Sequence, residues 1–202
     1  MLQANLATQR RHFCAAYGHP LIGKTDGLAC HVVLDRLPLG TGGNRSEQRR
    51  ACAGMLETAL QCHGLGHIGV SSVEHTPDGA PMLTPPTLGS ISLAHDGPWC
   101  AVALARVGTS IGVDIQTPRA VSMTMFQRLA PDLVPQHGQR DAFVEFAGRW
   151  TSREAVSKAL GTGLRSELIR KPLPTRQEGT DFGVRYKRLA TGFETALSLA
   201  WK

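Results

Sequence analysis

The stretch from Trp150 to Leu164, WTSREAVSKALGTGL, restricts this chain more than any other, because it can form little besides an amphipathic helix with a defined end. Thr151 can act as N-cap, with Glu154 three residues on to complete an S/T-x-x-E capping box. Gly161 and Gly163 supply the left-handed stop. Glu154 and Lys158 are four apart, so a carboxylate and an ammonium leave one face of that helix close enough to share a ligand. At that spacing they also make an ordinary surface ion pair, worth about 0.2–0.5 kcal/mol. A second carboxylate, Asp114, lies in IGVDIQ at residues 111–116, and two acids with a lysine suit a magnesium-bound phosphate.

The rest of the pattern predicts a mixed α+β chain. Residues 29–34, ACHVVL, read as a buried strand. The loop LPLGTGGN follows, but Arg45 stands at the last glycine position of G-x-G-x-x-G, so the dinucleotide fingerprint fails. Residues 46–60 read as a helix, with Arg49 and Arg50 on its polar face. A strand is expected over 67–73, and residues 90–106 divide around Asp96-Gly97, a strong hairpin signal. Thr109 to Gln116 is a further strand closed by Pro118, followed by a short helix over 121–130. Residues 139–147 are helical, Gly148 offers a bend, and the opening helix continues to Leu160. A basic, proline-containing loop, RSELIRKPLPTRQEG, leads to two final strands, 182–189 and 194–201, joined by a turn at Thr191-Gly192. The element order divides near residue 106 into two halves of similar plan, 1–106 and 107–202, without a repeat at the level of sequence.

Composition removes several function classes. At 202 residues with 42% hydrophobic and 19% charged residues, the chain can bury a core of its own. Five cysteines, scattered and never as C-x-x-C, argue against a disulfide framework and a structural zinc site. No apolar run is long enough to span a bilayer and no secretory leader is evident, so a cytoplasmic location is expected, with no membrane partner. A net charge of +6 favours an acidic or phosphate-rich partner. Nucleic acid is not expected, because aromatics are only 5% and no recognition motif accompanies the charge.

GVDIQ and WTSREAVSKALGTGL, 40 residues apart from Asp114 to Glu154, together resemble the signature of the 4′-phosphopantetheinyl transferases of the Sfp-like branch. GAPML at 79–83 and ISLAHDG at 91–97 resemble that family's G-K-P and N-x-S-H-S segments. The resemblance implies two pseudo-symmetric α+β halves packed together. It implies Mg²⁺-dependent transfer of the phosphopantetheine arm of coenzyme A to a serine of an apo acyl or peptidyl carrier protein, releasing adenosine 3′,5′-bisphosphate. Asp114, Glu154 and Gln116 would be the metal ligands, and Glu154 the base for the serine. Lys158 would meet the leaving phosphate, and His95 and Arg50 would contact the coenzyme's phosphates. His95 reads equally as a hairpin residue beside the Asp96-Gly97 turn, and Arg50 as part of a solvated face.

The chain departs from the family pattern at named places. Gln116 replaces a carboxylate, which lowers the expected metal affinity, and Ala80 removes a lysine. Ala94 replaces a serine, and Arg153 stands for the lysine before the glutamate. These departures keep an alternative in view: a coenzyme A or carrier-protein binding protein of the same fold with a degraded site. Carrier proteins of this kind are acidic, so a basic enzyme would attract one, and a monomer could close its site between the two halves.

Overall fold

A computed structural model of the chain describes residues 30–36, 53–57, 59–61, 64–67, 73–77, 79–133, 139–164, 166–191 and 195–202. The expectations for residues 1–29, the LPLGTGGN loop and Arg49 and Arg50 lie outside them. The fold is mixed α+β with antiparallel sheets, and the chain divides into two compact units. One comprises residues 1–93 and 98–109, the other 94–97 and 110–202. Among the described residues no helix is long and apolar enough to cross a membrane.

In the first unit, β1 (Cys30–Arg36) pairs antiparallel with β5 (Trp99–Ala105), from Cys30↔Ala105 to Arg36↔Trp99. On the other side of β5 lies β4 (Ser90–Asp96). WCAVALA, without a polar side chain, is buried at every position of β5, as a central strand must be. Residues 53–57 and 59–61 are helical, as expected, and set Met55, Leu56, Ala59 and Leu60 into a core with Leu83, Ile91, Cys100, Val102 and Leu104. A hairpin forms where it is expected, but Asp96 is the last residue of β4 and the turn residues are Gly97 and Pro98, with Gly97 at φ 53° before β5 begins at Trp99. Most of the strand expected over 67–73 lies outside the described residues, which include only its two ends. His67 sits in a turn that follows the helix, and the described strand is β2 (Val73–His75), paired with β3 (Pro81–Leu83). The Leu65 amide bonds Leu60 O at 2.8 Å, which ends the helix just before His67.

The second unit carries a four-stranded antiparallel sheet in the order β6 (Ile111–Gln116), β9 (Ala196–Trp201), β8 (Val184–Leu189), β7 (Glu178–Asp181). A short helix, Met123–Leu129, is capped by Ser122, whose hydroxyl accepts from the Met125 amide. The long helix Gln139–Leu160 packs against β6, β9 and β8. It runs unbroken for 22 residues, so the capping box at Thr151 does not exist: Thr151 is mid-helix and buried. Its hydroxyl donates to Gly148 O at 3.0 Å and lies 2.8 Å from Ser198 Oγ on β9. Thr151 and Ser152 are polar because they register the helix against the sheet, not because they start it. Gly148 introduces no break; a Cβ there would stand 3.4 Å from the Arg188 side chain, which occupies that space.

The basic loop also contains more structure than its prolines suggest, a helix over Ser166–Arg170 and strand β7. Phe182 begins no strand. With φ 49°, and Gly183 at 76°, it forms the two-residue turn between β7 and β8, where Asp181 pairs with Val184. The Arg153 guanidinium and the Lys171 ammonium lie over its ring, 5.1 and 4.6 Å from the centroid, giving a non-glycine residue in left-handed backbone compensating contacts.

Candidate functional site

Strand β6 and the long helix set the site, and Gly112 sets how closely they approach. Side chains alternate along β6, so Gly112, Asp114 and Gln116 share one face. At Gly112 that face meets the helix: a Cβ would collide with Ala155 O and stand 2.7 Å from Ala159 N. Only glycine allows this approach. Two residues on, Lys158 Nζ reaches across to Asp114 Oδ1 at 2.7 Å and Val113 O at 2.9 Å. The helix ends directly beyond. Thr162 N bonds Ser157 O and Gly161 N bonds Lys158 O, with Gly161 at φ 66°, a Schellman stop at the glycine the sequence offers.

Glu154 lies one turn before Lys158, half-buried. Trp150, a further turn back, hydrogen-bonds its carboxylate and stacks on Phe146, with ring centroids 6.4 Å apart. Trp150 therefore does more than fill the core; the W-x-x-x-E spacing was the available signal, since residues four apart meet on a helix. Both carboxyls are held above their ordinary range. For Asp114, burial raises the pKa, the Lys158 ammonium opposes it, and the Asp96 carboxylate adds to it. For Glu154, burial is again the largest cause and the Asp114 charge the second, opposed by Lys158 and the Trp150 hydrogen bond.

Asp96 was legible in the sequence only as a turn former. Its Oδ2 accepts from Thr117 N at 2.7 Å and its Oδ1 from Arg119 Nη1 at 3.3 Å, joining the hairpin tip to the chain just past Gln116. His95 precedes it on that tip, exposed. Gln116 is buried at the end of β6, two residues beyond Asp114. Arg50 lies outside the described residues.

Arg153, which stands where the family pattern has a lysine, is structural. It is 1% exposed, and its guanidinium is committed internally. Nε bonds Asp181 Oδ2 at 2.7 Å, Nη2 bonds Pro172 O at 2.6 Å, and Nη1 donates to Leu168 O and Lys171 O. It fastens the segment 168–172 and the β7–β8 turn to the helix, and is not placed to meet a ligand.

The donor chemistry of Asp114 and Glu154 fits a hard dication: two carboxylates that feel each other's charge, their charged forms disfavoured by burial, with the Gln116 amide two residues beyond Asp114 on the same strand face. Among the described residues no three His, Cys, Asp or Glu side chains group closely enough to hold a metal. A cleft of about 730 Å³ opens beyond β6, lined by Thr117, Arg119, Phe143, Glu145, Arg188 and Leu197 among others. Neither Asp114, Glu154 nor Lys158 lines it. Comparison with protein-family models and with curated proteins finds no match.

Proposed function

We propose that the chain is a magnesium-dependent 4′-phosphopantetheinyl transferase with the two-halved α+β fold of that family. It would move the arm of coenzyme A onto a serine of an acidic apo acyl or peptidyl carrier protein, as a cytoplasmic monomer. The observation that carries this reading is the meeting of Asp114, Glu154 and Lys158. They are 40 and 44 positions apart in the chain, yet Lys158 bonds Asp114 at 2.7 Å and Glu154 feels the charge of both.

Asp114 and Glu154, with the Gln116 amide, would hold Mg²⁺, which when bound neutralises the pyrophosphate charge of coenzyme A. Glu154, its carboxyl raised by burial and by Asp114, is nearer to working pH than a free glutamate and suits it to take the proton from the carrier serine Oγ. Lys158, tethered to Asp114 and the Val113 carbonyl, meets the charge that grows on the leaving phosphate. His95, on the exposed hairpin tip, and Arg50 are the proposed phosphate contacts.

The test is incubation with coenzyme A, Mg²⁺ and apo carriers from several pathways, read by intact mass. A carrier heavier by one phosphopantetheine arm supports the reading; no shift on any carrier, with a known transferase active in parallel, overturns it. A second reading, a coenzyme A or carrier binding protein, is favoured by one observation: Asp114 is held by Lys158 in a site whose third position is an amide. Glu154→Gln separates the two. Loss of turnover with retained coenzyme A binding supports the transferase, and coenzyme A binding with no turnover in the unaltered protein supports the binder.

A further inference from the structure

The hairpin tip 94–97 groups with the second unit, although the strands it joins, Ser90–Leu93 and Trp99–Ala105, group with the first. Asp96 fastens the tip within the second unit. Its side chain is 18% exposed, and the carboxylate is fixed at both oxygens, by the Thr117 amide at 2.7 Å and by Arg119 at 3.3 Å. The Thr117 bond is a backbone contact that places the charge immediately beyond Gln116. Arg119 does little to cancel it, because its own side chain is 64% exposed and solvent screens the pair. Asp114 lies within electrostatic reach. A negative charge is therefore anchored next to the one position of the proposed metal set that carries none.

We propose that Asp96 supplies, from outside the ligand set, the carboxylate charge that Gln116 does not, and so raises the affinity of the Asp114–Glu154 site for a divalent cation. This rests on the cation site proposed above, though not on the transferase activity. Asp96 is a positioning residue: its Thr117 bond holds the end of β6, and its charge favours a dication at the neighbouring donors. The family's carboxylate within the ligand set would then be replaced by one held outside it, at the Thr117 amide.

The test is Mn²⁺ binding followed by the paramagnetic signal of the free ion, using the full chain and no substrate. Asp96→Asn keeps an oxygen for the Thr117 amide but removes the charge. Binding should weaken about 3- to 10-fold, with the thermal midpoint near that of the unaltered protein. Adding Gln116→Glu to that variant should restore the original affinity, a rescue that a merely structural role of Asp96 would not give. Unchanged Mn²⁺ affinity in Asp96→Asn, a loss that Gln116→Glu does not restore, or no binding abolished by Asp114→Asn in the parent chain would each overturn the inference. A failed carrier assay would leave this measurement intact, so the two readings fail separately.

Discussion

Lys158 Nζ lies 2.7 Å from Asp114 Oδ1, joining the last turn of the long helix to the strand that precedes it in sequence by more than forty residues. The aspartate side chain is 12% exposed and the lysine 30%, so the pair is shielded enough to affect stability. Replacing Lys158 by Met leaves the buried carboxylate unopposed. We expect a loss of about 2 kcal/mol at pH 7 by urea unfolding. The Asp114 carboxyl is raised in the folded protein, so its ionisation opposes folding increasingly as pH climbs through the folded value. The deficit of the variant should accordingly shrink towards pH 4; an equal deficit at both pH values would contradict this.

Glu154→Gln should stabilise the protein while removing its proposed activity. The carboxyl is raised above its usual 4.5 by burial first and Asp114 second, so the folded state prefers it protonated. Below the unfolded value that preference is fully satisfied, and it is lost as pH rises through the folded one. Glutamine cannot ionise, and its amide oxygen still accepts from Trp150. A gain of roughly 1 kcal/mol at pH 7, vanishing near pH 4, is the expected result of parallel unfolding titrations.

Gly112→Ala tests the close approach of strand and helix. The added carbon meets backbone, at Ala155 O and Ala159 N, where no side chain can rotate away. We expect a destabilisation of about 2–4 kcal/mol, and weaker Mn²⁺ binding because Asp114 on the strand is drawn from Glu154 on the helix. Full stability in the variant would show that the two elements can separate without cost.

Arg153→Lys keeps the charge and loses the fork. Asp181, Leu168 O, Lys171 O and Pro172 O cannot all be served by one ammonium in a site 1% exposed. The expected loss is about 3 kcal/mol in thermal or urea unfolding, with coenzyme A affinity unaltered under conditions where the variant is folded. A selective loss of coenzyme A affinity at full stability would show that Arg153 also meets the ligand.

Where one physical signal dominated, the sequence was sufficient. β5 is a run of apolar residues, Asp96-Gly97 marks a hairpin, and Gly161 is a helix stop, and all three elements form accordingly. Reading failed where the same residues serve two purposes. T-S-R-E looks like a helix start, but Thr151 and Ser152 are buried against Ser198 within a continuous helix, and only the position of β9 reveals it. Phe182 carries an aromatic that suggests a strand, whereas a following glycine and two overlying cations make it a turn residue. Of the site, the Asp114, Glu154 and Lys158 grouping could be anticipated from helical spacing and the paired motifs. The anchorage of Asp96 at Thr117 spans 21 residues and carries no local pattern, and burial of an arginine such as Arg153 has no sequence signal at all.

The Gly112 contact also determines which length changes this chain can accept. Asp114 and Lys158 are placed by a strand and a helix touching at Gly112 and Ala155, not by the path of residues 117–138 between them. Within that connection, length changes at the exposed Arg119-Ala120 avoid the meeting point, whereas changes in Met123–Leu129 would displace Phe126 and Leu129 from their packing on Phe146. One residue added between Ala155 and Lys158 would instead rotate the lysine about 100° around the helix axis and carry its ammonium away from the aspartate. Variants of altered length should thus fall at exposed positions such as Arg119-Ala120, while residues 150–160 accept no change of count.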